Sequence, residues 1–306
     1  MIVVAGEALI DLILHPDGHV RAVPGGGPFN VARTIGRLGG DVAFLGRLST
    51  DRFGGTLRGA LETDGVDLGF VVTPDAPTTL AVAELDDRGV ATYRFHLAET
   101  SAPGLEPDDV LLALRSRPRA LHVGTLGLMV EPIGDALATG ISRLDPSTLL
   151  MVDPNCRPGV IRDQAAYRAR LRAVLARADV VKVSADDLAY LAPDVAVADA
   201  ARGLLADGQA VVLLTDGARA VRVLGQTYEF ELPVPHVAVV DTVGSGDAFC
   251  GGFLARWIER GHGRPELADP EVVRDAALVA VEVASLTCGR PGADPPRRAE
   301  VARLAV

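Results

Sequence analysis

The stretch Asp241-Thr242-Val243-Gly244-Ser245-Gly246-Asp247-Ala248-Phe249 holds the densest set of groups able to do chemistry. It lies between an apolar, strand-like run at 236–240 and a helical pattern of Phe249, Phe253, Leu254, Trp257 and Ile258, spaced by three and four. The order is strand, glycine-rich turn, helix start. Glycines let successive backbone N–H groups converge with no Cβ in the way. The first helical turn leaves N–H donors unpaired and carries the positive end of the helix dipole. Together they make a hole for an anion such as phosphate. Asp247, at the edge of that hole, is placed to take a proton from a hydroxyl held beside the phosphate. Phosphoryl transfer to an alcohol asks for that pairing. Plain helix capping also accounts for Ser and Asp at these positions, so the local sequence leaves both readings open. Two nucleotide motifs are excluded. No Gly-Lys-Ser/Thr follows, as a P-loop requires, and Phe249 stands where a dinucleotide fingerprint needs its third small residue.

A second glycine-rich turn, Pro24-Gly25-Gly26-Gly27-Pro28-Phe29-Asn30, opens a helix through Val31, Ile35 and Leu38. Its glycines allow a ligand close to the backbone, and Asn30 offers a donor and an acceptor to sugar hydroxyls. A flexible loop with a capping Asn is the plain alternative. Asp11, shortly after the first strand at 2–6, is a carboxylate candidate for holding a small polar molecule.

The elements that must position these groups alternate. Strand-like runs at 42–45, 120–123, 149–152, 180–183 and 210–214 are separated by helical runs at 51–63, 107–115, 132–144, 164–176 and 197–205, with a short helix from Ala185. A last helix runs through 272–285. This predicts an α/β three-layer sandwich around a mostly parallel sheet with right-handed crossovers. The ligand then lies beyond the carboxyl ends of the strands, the edge to which Asp11, Asn155, Ser184, Thr215 and the 241–247 turn are assigned. Hairpins at 9–23 and 78–96 interrupt the series, the second turning at Asp86-Asp87-Arg88-Gly89. They are expected to form a small β-layer over one side of the main sheet, a lid that keeps water from a phosphoryl acceptor. Its exposed apolar face predicts a homodimer contact. A further hairpin is expected at 220–224 and 228–232. With no repeat or linker, 1–306 reads as a single domain.

The formal charge of −10 argues against a nucleic-acid or anionic-membrane partner. No apolar run is long enough to span a bilayer, and a signal peptide is not expected. Cys156, Cys250 and Cys288 form neither a metal spacing nor a disulfide framework, which points to the cytosol. Lys182 is the only lysine.

Two of these motifs resemble one family. Gly25-Gly26-Gly27-Pro28-Phe29-Asn30-Val31-Ala32 is similar to the N-terminal signature of the ribokinase-like sugar kinases, the PfkB family. Asp241 to Phe249 closely resembles their C-terminal signature, and the likeness covers essentially the whole chain. The resemblance implies ATP-dependent phosphorylation of a sugar hydroxyl. It makes Asp247 the general base and gives the migrating phosphoryl the backbone amides of Gly244, Ser245 and Gly246. Asp11, Gly26, Gly27 and Asn30 would grip the acceptor. Thr215-Asp216-Gly217-Ala218 looks like the nucleotide-binding turn. Lys182 to Asp187 resembles the strand that ends in an Asn-x-x-Glu motif near magnesium. Here that motif is Ser184-x-x-Asp187, with Ser184 toward the nucleotide and Asp187 toward Mg2+. The tail from Cys288 to Ala293 resembles the segment that closes the adenine site, with Gly292 in it. Asp241 and Val243 would serve K+, although Pro296 stands where some potassium-dependent members carry serine. Asp153-Pro154-Asn155-Cys156-Arg157 resembles the Asp-Pro-Asn-x-Arg of fructokinases and 2-keto-3-deoxygluconate kinases, as does Thr92-Tyr93-Arg94-Phe95. Arg157 would hold the transferring phosphate and Arg94 would reach over the acceptor, with fructose favoured. A keto-deoxy sugar acid, ribose, a nucleoside, or an idle sugar-binding regulator are the competing readings.

Overall fold

β1 (Ile2–Ala5) is a run of β-branched and small residues buried on both faces, as a central parallel strand requires. Its side chains alternate between two cores: Ile2 and Val4 enter one, Val3 and Ala5 the other. The computed structural model describes residues 1–86, 91–206 and 208–304. The other described strands are β2 (Leu9–Leu14), β3 (Val20–Gly25), β4 (Val42–Arg47), β5 (Asp67–Val72), β6 (Leu80–Leu85), β7 (Ala91–His96), β8 (Ala120–Gly124), β9 (Leu149–Asp153), β10 (Val180–Ser184), β11 (Val211–Thr215), β12 (Val221–Gly225) and β13 (Glu229–Leu232).

Nine of them form one sheet in the order β13-β12-β11-β10-β9-β8-β1-β4-β5. It is parallel except for the terminal hairpin, where β12 runs antiparallel to β11 and β13. From β1 the chain moves outward to β4 and β5, then returns to β8 on the other side and proceeds to β13. The order therefore reverses between β1 and β8, and the crevice at their carboxyl ends is where such a sheet receives a ligand. Helices Gly27–Arg37, Ser245–Glu259 and Pro270–Cys288 contribute to one core, with Phe29, Phe253 and Trp257 fully buried. Helices Pro107–Leu114, Ile133–Ile141, Gln164–Leu175 and Val197–Ala206 contribute to the other.

One contact in the first core matters to the site. A Cβ on Gly251 would stand 2.6 Å from Thr34 Cβ. The bare glycine lets helix Ser245–Glu259 lie close against helix Gly27–Arg37, so the two glycine-rich turns that start them arrive side by side.

The predicted hairpins pair with each other in a second sheet, order β3-β2-β6-β7, joined by the parallel pair β2–β6. Residues 87–89 of the expected turn, and Val90, lie outside the described residues. Asp11 is in the middle of β2, not beyond the end of a main-sheet strand, so it reaches the crevice from the smaller sheet. Residues 236–240 are not a strand. Among the described residues no strand pairs with them, Val239 and Val240 are 61% and 60% exposed, and Val240 N–H donates to Cys288 O at 2.8 Å. Strand β5, broken in pattern by Gly69, and the short helix Leu126–Met129 escaped the sequence reading. No described helix is long and apolar enough to cross a membrane.

Candidate active site

Helix Ser245–Glu259 begins at Gly244, whose φ of 75° is left-handed, and no side chain caps it. Ser245 Oγ donates instead to Thr242 O at 2.9 Å. Helix Gly27–Arg37 begins the same way, at Gly26 with φ 109° and no side-chain cap. The capping alternative thus fails at both turns. Asn30 is past the capping position, and its Nδ2 donates to Asp247 Oδ2 at 2.9 Å across the junction of the two helices. Asn30 Oδ1 is buried without a hydrogen-bond partner among the described residues.

Burial pushes the Asp247 carboxyl up to about 6. The bond from Asn30 opposes this, Asp153 adds to it, and Lys182 and Arg157 pull it back. The group stays ionised at neutral pH, yet is more basic than a free aspartate. It faces a cavity of about 500 Å³ lined by Glu7, Asp11, Gly26, Gly27, Asn30, Tyr93, Phe95, Thr125, Asn155, Arg157, Lys182 and the turn 242–247. Gly27 keeps this space open: a Cβ there would collide with Thr125 Oγ1 and lie 3.3 Å from Asp247 Oδ1. Asp11 is likewise pushed up to about 6 by burial, against the nearby Arg157 charge.

Two cavity residues occupy left-handed backbone without being glycine, Thr125 (φ 52°) and Asn155 (φ 39°). Asn155 Nδ2 lies 3.5 Å from Thr125 Oγ1. Such conformations are held only where the surroundings over-determine them, and they gather at functional sites. Arg157 folds back on its own loop, donating to Asn155 Oδ1 at 2.7 Å.

A second cavity, about 350 Å³, adjoins the first across Thr215, Thr242, Ser245 and Gly246. Its wall is mostly apolar: Ala218, Val221, Val234, Val237, Val239, Phe249, Val281 and Ala284, with Gly217 at its edge. A flat heteroaromatic base suits this slot. The glycine turn at 244–246 thus stands at the boundary between a polar pocket and an apolar one. The exposed run 236–240 supplies part of the apolar wall.

Three expected residues are placed elsewhere. Arg94 is 69% exposed and pairs with Glu84 at 3.3 Å. Alternation along β7 sends Tyr93 and Phe95 to the cavity and Arg94 to the opposite face. Asp187 is 4% exposed and spent on structure. Its Oδ2 accepts from Ser184 N and Oγ at 2.9 and 2.7 Å, and its Oδ1 accepts from Cys156 N at 2.7 Å. Ser184-x-x-Asp187 forms the capping box of helix Ala185–Leu191, and Ser184 also lines the polar cavity. Gly292 lines neither cavity, its N–H donating to Asp241 Oδ2 at 2.9 Å, while Ser285 and Cys288 line the apolar cavity.

Glu7 went unassigned in the sequence. It is 2% exposed; Oε1 accepts from Gly27 N at 3.1 Å and Oε2 from Gly127 N at 2.9 Å. It ties the turn after β1 to the turn after β8. Burial pushes its carboxyl up to about 8 despite those amides, with Asp247 adding to the rise. Its signal was its place directly after β1. Thr125 had none, because threonine does not advertise a left-handed backbone.

A model described as "pfkB family carbohydrate kinase" matches residues 1–299. The chain is 33% identical over 254 residues to a fructokinase of Vibrio alginolyticus, covering 82% of each. It superposes on a fructokinase with bound ATP from Xylella fastidiosa with a TM-score of 0.91 at 30% identity, covering 99% of this chain and 97% of that one. It also superposes on a fructokinase of Vibrio cholerae O395 in a form with fructose, ADP and calcium ion bound, with a TM-score of 0.85 at 26% identity, covering 99% and 98%. With its two glycine-started helices meeting at Asp247, this chain belongs to the pfkB family of carbohydrate kinases.

Proposed function

We propose that this protein transfers the γ-phosphoryl group of ATP to a hydroxyl of a small sugar, fructose in the first instance. The observation that carries the reading is the buried Asn30–Asp247 contact in the polar cavity, next to the turn 244–246 that stands between it and the apolar one. The base of ATP lies in the apolar slot beside Gly217 and Thr215, and its phosphates run to the amides of Gly244, Ser245 and Gly246. Asp11, Gly26, Gly27, Asn30 and Asn155 surround the acceptor, with Arg157 at the rim. As the acceptor oxygen bonds to the γ-phosphorus, the bond to the β–γ bridging oxygen breaks, its electron pair leaving on ADP. The hydroxyl proton passes to Asp247.

Magnesium, arriving with ATP, would neutralise phosphate charge and keep most of its waters. No cluster of three or more His, Cys, Asp or Glu able to hold a metal exists among the described residues, which suits an ion held by phosphates. For K+, the oxygen donors we propose are the Asp241 carboxylate and the Val243 carbonyl, in the turn that Asp241 ties to Gly292.

The chain acts as one kinase domain over 1–306, with the smaller sheet as a lid over the acceptor. By register, Leu12, Leu14, Val20 and Val82 share the lid face opposite Asp11. We assign that face to a homodimer contact; light scattering at micromolar protein should give twice the chain mass, and a monomer mass would remove the assignment. We place the enzyme in the cytosol, where its three free cysteines remain reduced.

The direct test is ADP release across fructose, ribose, 2-keto-3-deoxygluconate and adenosine. Fructose should give the largest kcat/KM. Adenosine in its place would make this a nucleoside kinase, and binding without turnover of any of them would make it an idle sugar binder. The acid limb is a second expectation. A base must be ionised to act, and Asp247 sits near 6. A plot of kcat/KM for fructose against pH should therefore fall below about 6, tenfold per unit.

A further inference from the structure

Lys182, the only lysine of the chain, is on β10 among Val180, Val181 and Val183. It is 4% exposed, and its Nζ lies 3.0 Å from Asp153 Oδ2. Burial alone would strip its proton, but the adjacent Asp153 carboxylate overrides that and holds the ammonium charged. Buried pairs of this kind contribute little to stability compared with apolar residues of similar volume. The position of this pair gives it another use.

A Cβ built on Gly246 would stand 2.9 Å from Lys182 Nζ. The ammonium therefore lies beneath the middle of the glycine turn, in the wall of the polar cavity. Among the described residues Asp153 is its one hydrogen-bond partner, whereas an ammonium carries three donors. Asp153 is braced in turn: its Oδ1 accepts from Asn155 N at 3.1 Å, and Cys250 Sγ lies 3.7 Å from its Oδ2. The pair thus points its positive end at the anion hole and its negative end away. His122 adds no competing charge, because burial, helped by Lys182, depresses its pKa to about 3.

We propose that Lys182 is the fixed cation of the phosphoryl-transfer hole, its ammonium resting against oxygens of the migrating phosphoryl beneath Gly246. The inference rests on the kinase reading above. The bonds made and broken are those already written. Lys182 forms and breaks none, and Asp247 still receives the proton. Its contribution is charge that the amides of the turn cannot supply, present before the reaction and needing no rearrangement.

The single lysine makes the test direct. Protein carrying 13Cε-lysine has one lysine side-chain resonance. It should shift when aluminium fluoride is added to the protein with ADP, magnesium and fructose, because the planar fluoride occupies the place of the transferring phosphoryl. A resonance that stays put while fluoride tightens ADP binding would overturn the proposal. The double variant Lys182→Met/Asp153→Asn removes the pair without orphaning either charge. It should melt cooperatively and hold fructose with a KM within threefold of the parent, while kcat falls about 10² to 10³-fold. A folded double variant with parental kcat would also overturn the proposal; if that variant does not fold, the resonance decides. A parent enzyme without turnover on any acceptor would remove the kinase reading itself, whereas turnover with an unmoved resonance removes only the role of Lys182.

Discussion

Asp247→Asn should bind fructose and ADP as the parent does and lose turnover by about two orders of magnitude or more. General-base help is worth roughly 10² to 10⁴ in rate, and this substitution removes the base while keeping its shape. The new side chain keeps an oxygen for Asn30 Nδ2, which now donates to Asp247 Oδ2 at 2.9 Å. The contact between the two helix starts therefore survives. Replacing a buried carboxylate by a neutral amide also relieves the burial that pushes Asp247 upward, so the variant should melt at or above the parent temperature. Calorimetric titration with fructose and with ADP, beside ADP-release kinetics, separates the two effects. Near-parental kcat would remove Asp247 from the proton transfer. Loss of fructose binding would mean that the carboxylate grips the acceptor rather than activating it.

The second large effect concerns the hinge of the glycine turn. Gly244→Ala puts a Cβ on a residue with φ 75°, which costs about 1–2 kcal/mol in backbone strain alone. That Cβ would also stand 2.9 Å from Ala293 Cα, a backbone atom that cannot swing aside. Either the helix start or the segment after Gly292 must shift, although the Asp241–Gly292 hydrogen bond holds the two together. Both outcomes disorder the amides meant for the phosphoryl. We expect kcat to fall tenfold or more and the melting temperature to drop by several degrees. Gly18→Ala is the control. Gly18 also has positive φ, 84°, but a Cβ there meets nothing within 4 Å and the hairpin turn is remote from both cavities. It should lose stability and keep kcat. Equal kinetics in the two variants would show that the turn tolerates displacement and that its amides do not hold the reacting group.

Much of the architecture was readable in local pattern, because a strand buried on both faces and a helix buried on one leave different periods in the chain. Ile2 to Ala5, most of the alternating elements up to β13 and both hairpins of the smaller sheet follow from that alone, but β5 and the helix Leu126–Met129 do not. Asp247 and Asn30 were readable too, because each opens a helix directly after a glycine-rich turn, in two motifs that resemble one family. What the sequence could not say was whether those turns were merely capped. That depended on side chains 217 residues apart finding each other, and Gly251 against Thr34 is what lets the helices come close enough. Tertiary structure likewise decided the fate of the charged residues. Pattern gives a strand its alternation but not which face meets the cavity, so Tyr93 and Phe95 were sent inward and Arg94 outward. Asp187 kept the spacing of a ligand and was consumed by Ser184 and Cys156. Glu7 had only its place after β1 and Lys182 only its being the sole lysine, while Thr125 had no local mark. Their importance comes from packing, which places a carboxylate, a strained turn and an ammonium around one cavity at the reversal of strand order.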